Sequence, residues 1–125
     1  MIVLDATTKS LQLTLSASPS SQLPFCASYV DATGSATTPG EQDGVSNNST
    51  AVTLVSSPAA SAQRLVKNIV IQNPNTSSAT VTVIYNNNST LRNIIVVTLS
   101  AGDQLIYEDG AGWKGVDTNG NVKVS

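Results

Sequence analysis

A chain of 125 residues is the length of one domain, long enough to bury a core without disulfides or metals. Charged residues make up only 11% of it and the net charge is -2, with Lys9, Arg64, Lys67, Arg92, Lys114 and Lys123 scattered and no basic run. That excludes a nucleic-acid-binding protein of the counterion-releasing kind, leaves Ser, Thr, Asn and Gln to make the polar surface, and suits a protein living in a dense assembly.

Taken in order, Ile2 to Leu4 is a short apolar start suited to a sheet edge. Leu11, Leu13 and Leu15 alternate with Gln12 and Thr14, the period of a half-buried strand. Ser18-Pro19 ends it, and Leu23 to Val30 is the next strand, with Pro24 placed at its start because it has no N–H to donate. Cys26, between Phe25 and Ala27, reads as a small buried hydrophobe.

Asp31 to Thr50 is the least apolar part, with three Gly, one Pro, many Ser, Thr and Asn, and Val45 as its single large aliphatic. Connections of this length within a compact domain mark function or disorder, so residues 31–50 are expected to form a long polar loop. Either it touches a neighbour, through Thr38, Pro39, Glu41, Val45 and Asn47, or it is a mobile tip.

Ala51 to Val55 is a short strand. Arg64 to Gln72 follows, with Leu65, Ile69 and Ile71 on one face and Lys67 as an exception to it. Its β-branched density and the Asn73-Pro74-Asn75 stop favour strand over helix. Val81, Val83 and Tyr85 alternate with Thr80, Thr82 and Ile84. Ile94 to Leu99 places Ile95, Val97 and Leu99 on one face and Ile94 and Val96 on the other. Two apolar faces suggest a central strand, or one lying in a subunit interface, which makes Ile94 and Val96 the candidate interface residues. Leu105 to Tyr107 and a final hairpin complete the set, with Asn119-Gly120 expected to form a two-residue type I′ turn.

About eight or nine short strands, regularly spaced and without an amphipathic helix, define an all-β chain. The expected fold is a single-domain antiparallel β-sandwich over 1–125, jelly-roll-like, with about eight strands.

The chemistry-bearing residues are sparse. There is no histidine and one cysteine, which removes Ser-His-Asp and Cys-His nucleophile systems and structural zinc sites. The eight carboxylates are not paired as a glycosidase needs; Asp103, Glu108 and Asp109 sit beside Gly102 and Gly110 as turn residues. Neither Asp31 to Asp43 nor Asp103 to Asp117 matches a calcium loop. Trp113 reads as an anchor at the edge of the core rather than a ligand platform. The expectation is a non-enzymatic protein with no cofactor. The start, MIVLDATTKS, is read as neither signal peptide nor anchor, and no apolar run suffices for a membrane helix; the expected setting is a reducing compartment, with no membrane partner.

Several segments carry a resemblance. They are Ile2 to Leu11, Gln22 to Pro24, Ala27 to Asp31, Pro58 to Arg64, Val81 to Asn86, Thr98 to Asp103 and Glu108 to Trp113. Together they resemble small all-β virion structural proteins of tailed bacteriophages, most of all capsid decoration (cement) proteins. The resemblance implies a structural protein made in the host cytoplasm and carried on the outer capsid surface. Its partners would be the major capsid protein and further copies of itself, in a homotrimer matching a threefold of the shell. The alternative it leaves open is a tail or fibre component that binds a host-surface glycan. It supplies no catalytic residues.

Overall fold

In the computed structural model, which describes residues 1–123, the chain is all-β: eleven strands form two antiparallel sheets packed face to face. In chain order the strands are β1 (Ile2–Leu4), β2 (Lys9–Leu15), β3 (Pro24–Ala32), β4 (Thr37–Val45), β5 (Val52–Val55), β6 (Gln63–Gln72), β7 (Ala79–Asn87), β8 (Thr90–Leu99), β9 (Gln104–Glu108), β10 (Gly112–Val116) and β11 (Val122–Lys123). The larger sheet runs β11-β10-β9-β6-β3-β4, with β1 also paired to β6; the smaller runs β5-β2-β7-β8. The expected sandwich is therefore observed, with more strands than the eight anticipated.

The alternation that sequence shows in β2 is realised directly. Leu11, Leu13 and Leu15 are buried, and they meet Val81 and Val83 of β7 on the same inner face. From the other sheet come Phe25 and Ala27 of β3, Val66, Ile69 and Ile71 of β6, and Leu105 and Tyr107 of β9. Burying one Leu or Ile side chain of this kind contributes about 1.5–3 kcal/mol, so this one cluster is the main source of stability.

In β6 the apolar set differs from the expected one. The register pairs Ser28 with Asn68 but Tyr29 with Val66, so Lys67 is the extra residue of a β-bulge. A bulge shifts the two-residue period by one position. Val66, not Leu65, therefore shares the inner face with Ile69 and Ile71, and Lys67 is no longer an exception.

The long polar loop expected at 31–50 is mostly strand. β3 and β4 form a nine-pair hairpin from Pro24↔Val45 to Ala32↔Thr37. The inward positions of β4 are Gly40, Gln42 and Gly44, so this strand has no apolar face to announce it. Tyr29 and Phe25 of β3 fold across the two glycines: a Cβ at Gly40 would sit 2.6 Å from the Tyr29 ring, and one at Gly44 2.8 Å from the Phe25 ring. The aromatic rings do the covering that β4 side chains would otherwise do.

Two further corrections concern turns and edges. The last hairpin exists, but Gly120 alone has a left-handed backbone (φ 81) and Asn119 does not, so the turn is not type I′. Gly120 N–H donates to the Asp117 carbonyl and Asp117 N–H to that of Asn121, the bonding of a three-residue loop with a bulged glycine. β8 is an edge strand rather than a central one, because nothing among the described residues pairs with it beyond β7.

Candidate functional site

The residues that sequence singles out fall on two flanks. Ile94 and Val96 lie on the outer side of β8, 36% and 56% exposed, while Ile95, Val97 and Leu99 turn toward the core. Thr38, Pro39, Glu41 and Val45 lie on β4, the edge of the larger sheet, all exposed, and exposed Asn47 follows the strand in a small bridge to Thr50. β4 contacts β5, which is the far edge of the smaller sheet from β8. The structure does not bring the two sets together.

Local folding explains both placements. β8 pairs with β7 from Ala79↔Leu99 to Asn87↔Thr90, with Ile94 as the extra residue of a bulge between Val83↔Ile95 and Ile84↔Asn93. The segment after Asn47 is held by a polar network: the Gln22 carbonyl oxygen accepts from Ser46 Oγ (2.7 Å) and Asn48 N–H (3.0 Å), and its amide donates to Asn48 Oδ1 (2.7 Å). Ser46 Oγ in turn accepts from Leu23 N–H. This part of the expected loop is tied down by polar contacts rather than by apolar burial.

The two sheets present different outer faces. On the smaller sheet the outward positions are Gln12 and Thr14 of β2, Thr80, Thr82 and Ile84 of β7, and Leu91, Val96 and Thr98 of β8, and none ionises. Thr80 and Thr98 share a hydroxyl hydrogen bond of 2.9 Å, and Ile84 is only 7% exposed even though it faces outward. Leu91, 57% exposed, extends the apolar strip of Ile94 and Val96. Sequence reasoning missed Leu91 because it lies before the contiguous apolar run. On the larger sheet the outer face carries Glu41 and Asp43, with Glu108 bonded to Lys114 at 3.2 Å. Cys26 is exposed on this face, opposite Asp43 and Val70, and not buried as expected: the β3 period turns Phe25 and Ala27 inward and Cys26 out.

The basic side chains are almost all locally satisfied. Arg64 is bound bidentately by Asp31 (2.8 and 2.9 Å), donates to the Ser56 carbonyl and hydroxyl, and stacks 3.8 Å above the Tyr29 ring. The Asp31 carboxylate raises the Arg64 pKa, so this pair is a fixed structural element. Lys9, Lys67, Lys114 and Lys123 each meet a carboxylate. Arg92, on β8, meets none among the described residues.

Two shallow hollows stand out among the described residues. One of about 250 Å³ lies between Ser16–Pro19 and Ser78–Thr80, and one of about 270 Å³ lies beside Ala32–Gly34 and Gln63; no ionisable or aromatic side chain lines either. Both are smaller than the usual small-molecule site. No group of three or more His, Cys, Asp or Glu side chains suited to a metal occurs among the described residues. Phe25 and Tyr107 are core members, and Tyr29, Tyr85 and Trp113 pack against that core, Trp113 with its ring 5.0 Å from that of Tyr107. No protein-family model, curated protein or solved structure matches the chain.

Proposed function

We propose that the chain is a non-enzymatic virion structural protein, a capsid decoration protein that binds the outer surface of an assembled phage shell and braces its capsomer junctions. The observation that carries the reading is the outer face of the smaller sheet: free of ionisable groups, and exposing Leu91, Ile94 and Val96. Interface centres are depleted in charge in this way, and a neutral surface avoids repulsion among crowded copies. The resemblance of segments along most of the chain to small virion proteins supports the same reading, as does a two-sheet sandwich for a jelly-roll-like relative of them.

A shell offers repeated sites related by local symmetry, so an oligomer binds several subunits at once and weak contacts combine into strong retention. A trimer on a threefold is the arrangement implied by the resemblance; a dimer on a twofold serves the same purpose. A glycan-binding tail role fits less well, because the aromatic rings that would stack on sugars are all engaged with the core. Cosedimentation with shells assembled from the major capsid protein tests the proposal. The protein should pellet with the shells and change little in retention as salt rises, since the contact is uncharged. Protein left in the supernatant beside intact shells would overturn it.

A further inference from the structure

We infer that β8 is a self-pairing edge, and that two copies of this chain join antiparallel along it about a twofold axis, extending the smaller sheet from four strands to eight. The inference stands on the fold alone and does not require the capsid reading.

An edge strand exposes a row of backbone N–H and C=O groups that only another strand satisfies well, and proteins blunt such edges with shortness, Pro or charge. Among the described residues, every other edge is blunted. β1, β5 and β11 have three, four and two residues. β4 is long but carries Pro39, Glu41 and Asp43. β8 has ten residues, no Pro, no Lys and no carboxylate; its one charge is Arg92 near the start, and its bulge at Ile94 leaves Ile95 to Leu99 in regular register. Among the described residues no backbone group of β8 from Thr90 to Thr98 bonds to anything but β7, and of the β8 carbonyls the Asn73 amide reaches Leu99 alone.

The occupant is a second copy because the strand is complementary to itself. Pairing about Val96 sets Val96 against its mate on the outer face and Ile95 against Val97 on the inner one, with β-branched side chains opposed from Ile94 to Thr98. The two Arg92 side chains then lie eight residues apart, roughly 27 Å, and do not repel. The exposed Val96 side chain loses solvent in this arrangement, while Leu91 lies outside the paired segment and keeps its exposure. Such a contact is isologous and closes at two copies, so it selects the twofold in place of the threefold implied by the resemblance.

Light scattering on the full chain during size exclusion tests this directly. The expected mass is twice 12.9 kDa at tens of micromolar and above. Val96→Lys places like charges across the twofold and should weaken association about tenfold or more, while Val122→Lys, at an equally exposed site on β11, should leave the dimer intact. A cooperative thermal melt of Val96→Lys that matches wild type at a concentration too low for dimers shows that the fold is retained. In a Cys26→Ser background, Val96→Cys should give a disulfide-linked dimer on mild oxidation and Val122→Cys should not. A monomer at all concentrations, a trimer mass, or a dimer indifferent to Val96→Lys would overturn the inference; a monomer whose β8 instead captures a shell segment would fall among these.

Discussion

Gly40 and Tyr29 face each other across the β3–β4 ladder, and the tyrosine ring fills the space that a side chain at position 40 would need. The ring cannot swing away freely, because Arg64 stacks on it at 3.8 Å and is itself clamped by Asp31. Gly40 has no left-handed backbone, so the requirement for glycine here is one of space alone. Gly40→Ala should therefore cost about 1–2 kcal/mol, the overpacking penalty less the backbone entropy that alanine returns. Urea denaturation should show a lower midpoint at unchanged slope. In a double-mutant cycle the cost should largely vanish on a Tyr29→Leu background, which removes the obstructing ring.

The Arg64–Asp31 pair holds β6 to β3 at the end of the sandwich where β5 also arrives through Ser56. Asp31→Ala should destabilise by about 2–3 kcal/mol, at the lower end for a broken buried pair because the Asp31 side chain is 26% exposed. Arg64→Lys keeps the charge but loses the fork and the ring stacking, and should still cost about 1–2 kcal/mol. Equal stability of Arg64→Lys and wild type in chemical denaturation would show that charge alone matters at this site.

How much of this was legible depends on how each strand earns its place. β2, β7 and the inner half of β8 are held by apolar alternation, and Leu11, Leu13, Leu15, Val81 and Val83 announce it. β4 is held by backbone bonds and by rings lent from β3, so its composition of Gly, Thr, Pro and acids reads as loop. β6 was legible as a strand but not in its facing, since the bulge at Lys67 reverses the phase midway and leaves no local signature. Of the candidate site, Ile94 and Val96 are exposed, in keeping with their alternation with Ile95 and Val97. That the strand is an edge follows from pairing order, a long-range property that alternation does not encode.

Asn73 is buried at the crossing between β6 and the β8–β9 turn, and its amide donates to the carbonyls of Ser77, Leu99 and Ser100 at 2.9–3.1 Å. Its own oxygen accepts from Asn75. Asn73→Asp replaces the donor by a carboxylate facing three carbonyls, and should cost more than Asn73→Ala, for which about 2–3 kcal/mol is expected. The order of the two variants in thermal melts at neutral pH checks the assignment of the amide. The difference should narrow in acid as the introduced carboxyl takes up a proton.

Asp117 anchors the last hairpin by accepting the N–H groups of Asn121 and Asn119, each at 2.9 Å, and these bonds lower its pKa. A carboxylate depressed in the folded state contributes stability above its unfolded value of about 4, and loses it as pH falls through the lower folded value. The stability gap between wild type and Asp117→Ala should thus be present at pH 7 and shrink below about pH 4. A gap independent of pH would mean that the carboxylate does not organise the turn.

Tyr107, buried, and Tyr85, half-buried, make opposite use of the phenol hydroxyl. Tyr85 donates to the Val3 carbonyl at 3.2 Å and so pins β1 to the core, whereas the Tyr107 hydroxyl is buried with no hydrogen-bond partner within 3.5 Å among the described residues. Tyr85→Phe should cost about 0.5–1.5 kcal/mol, while Tyr107→Phe should leave stability unchanged or raise it by up to about 1 kcal/mol. Burial, aided by the nearby Asp109 charge, raises the Tyr107 pKa and favours the neutral phenol in the fold. The unfolded chain ionises first, near pH 10, so wild-type stability falls as pH rises above that value. Tyr107→Phe removes this group, and its melting temperature should decline less than that of wild type between pH 9 and 11, roughly the range in which an exposed phenol titrates. An equal decline in both proteins would show that the ring hydroxyl is solvated after all.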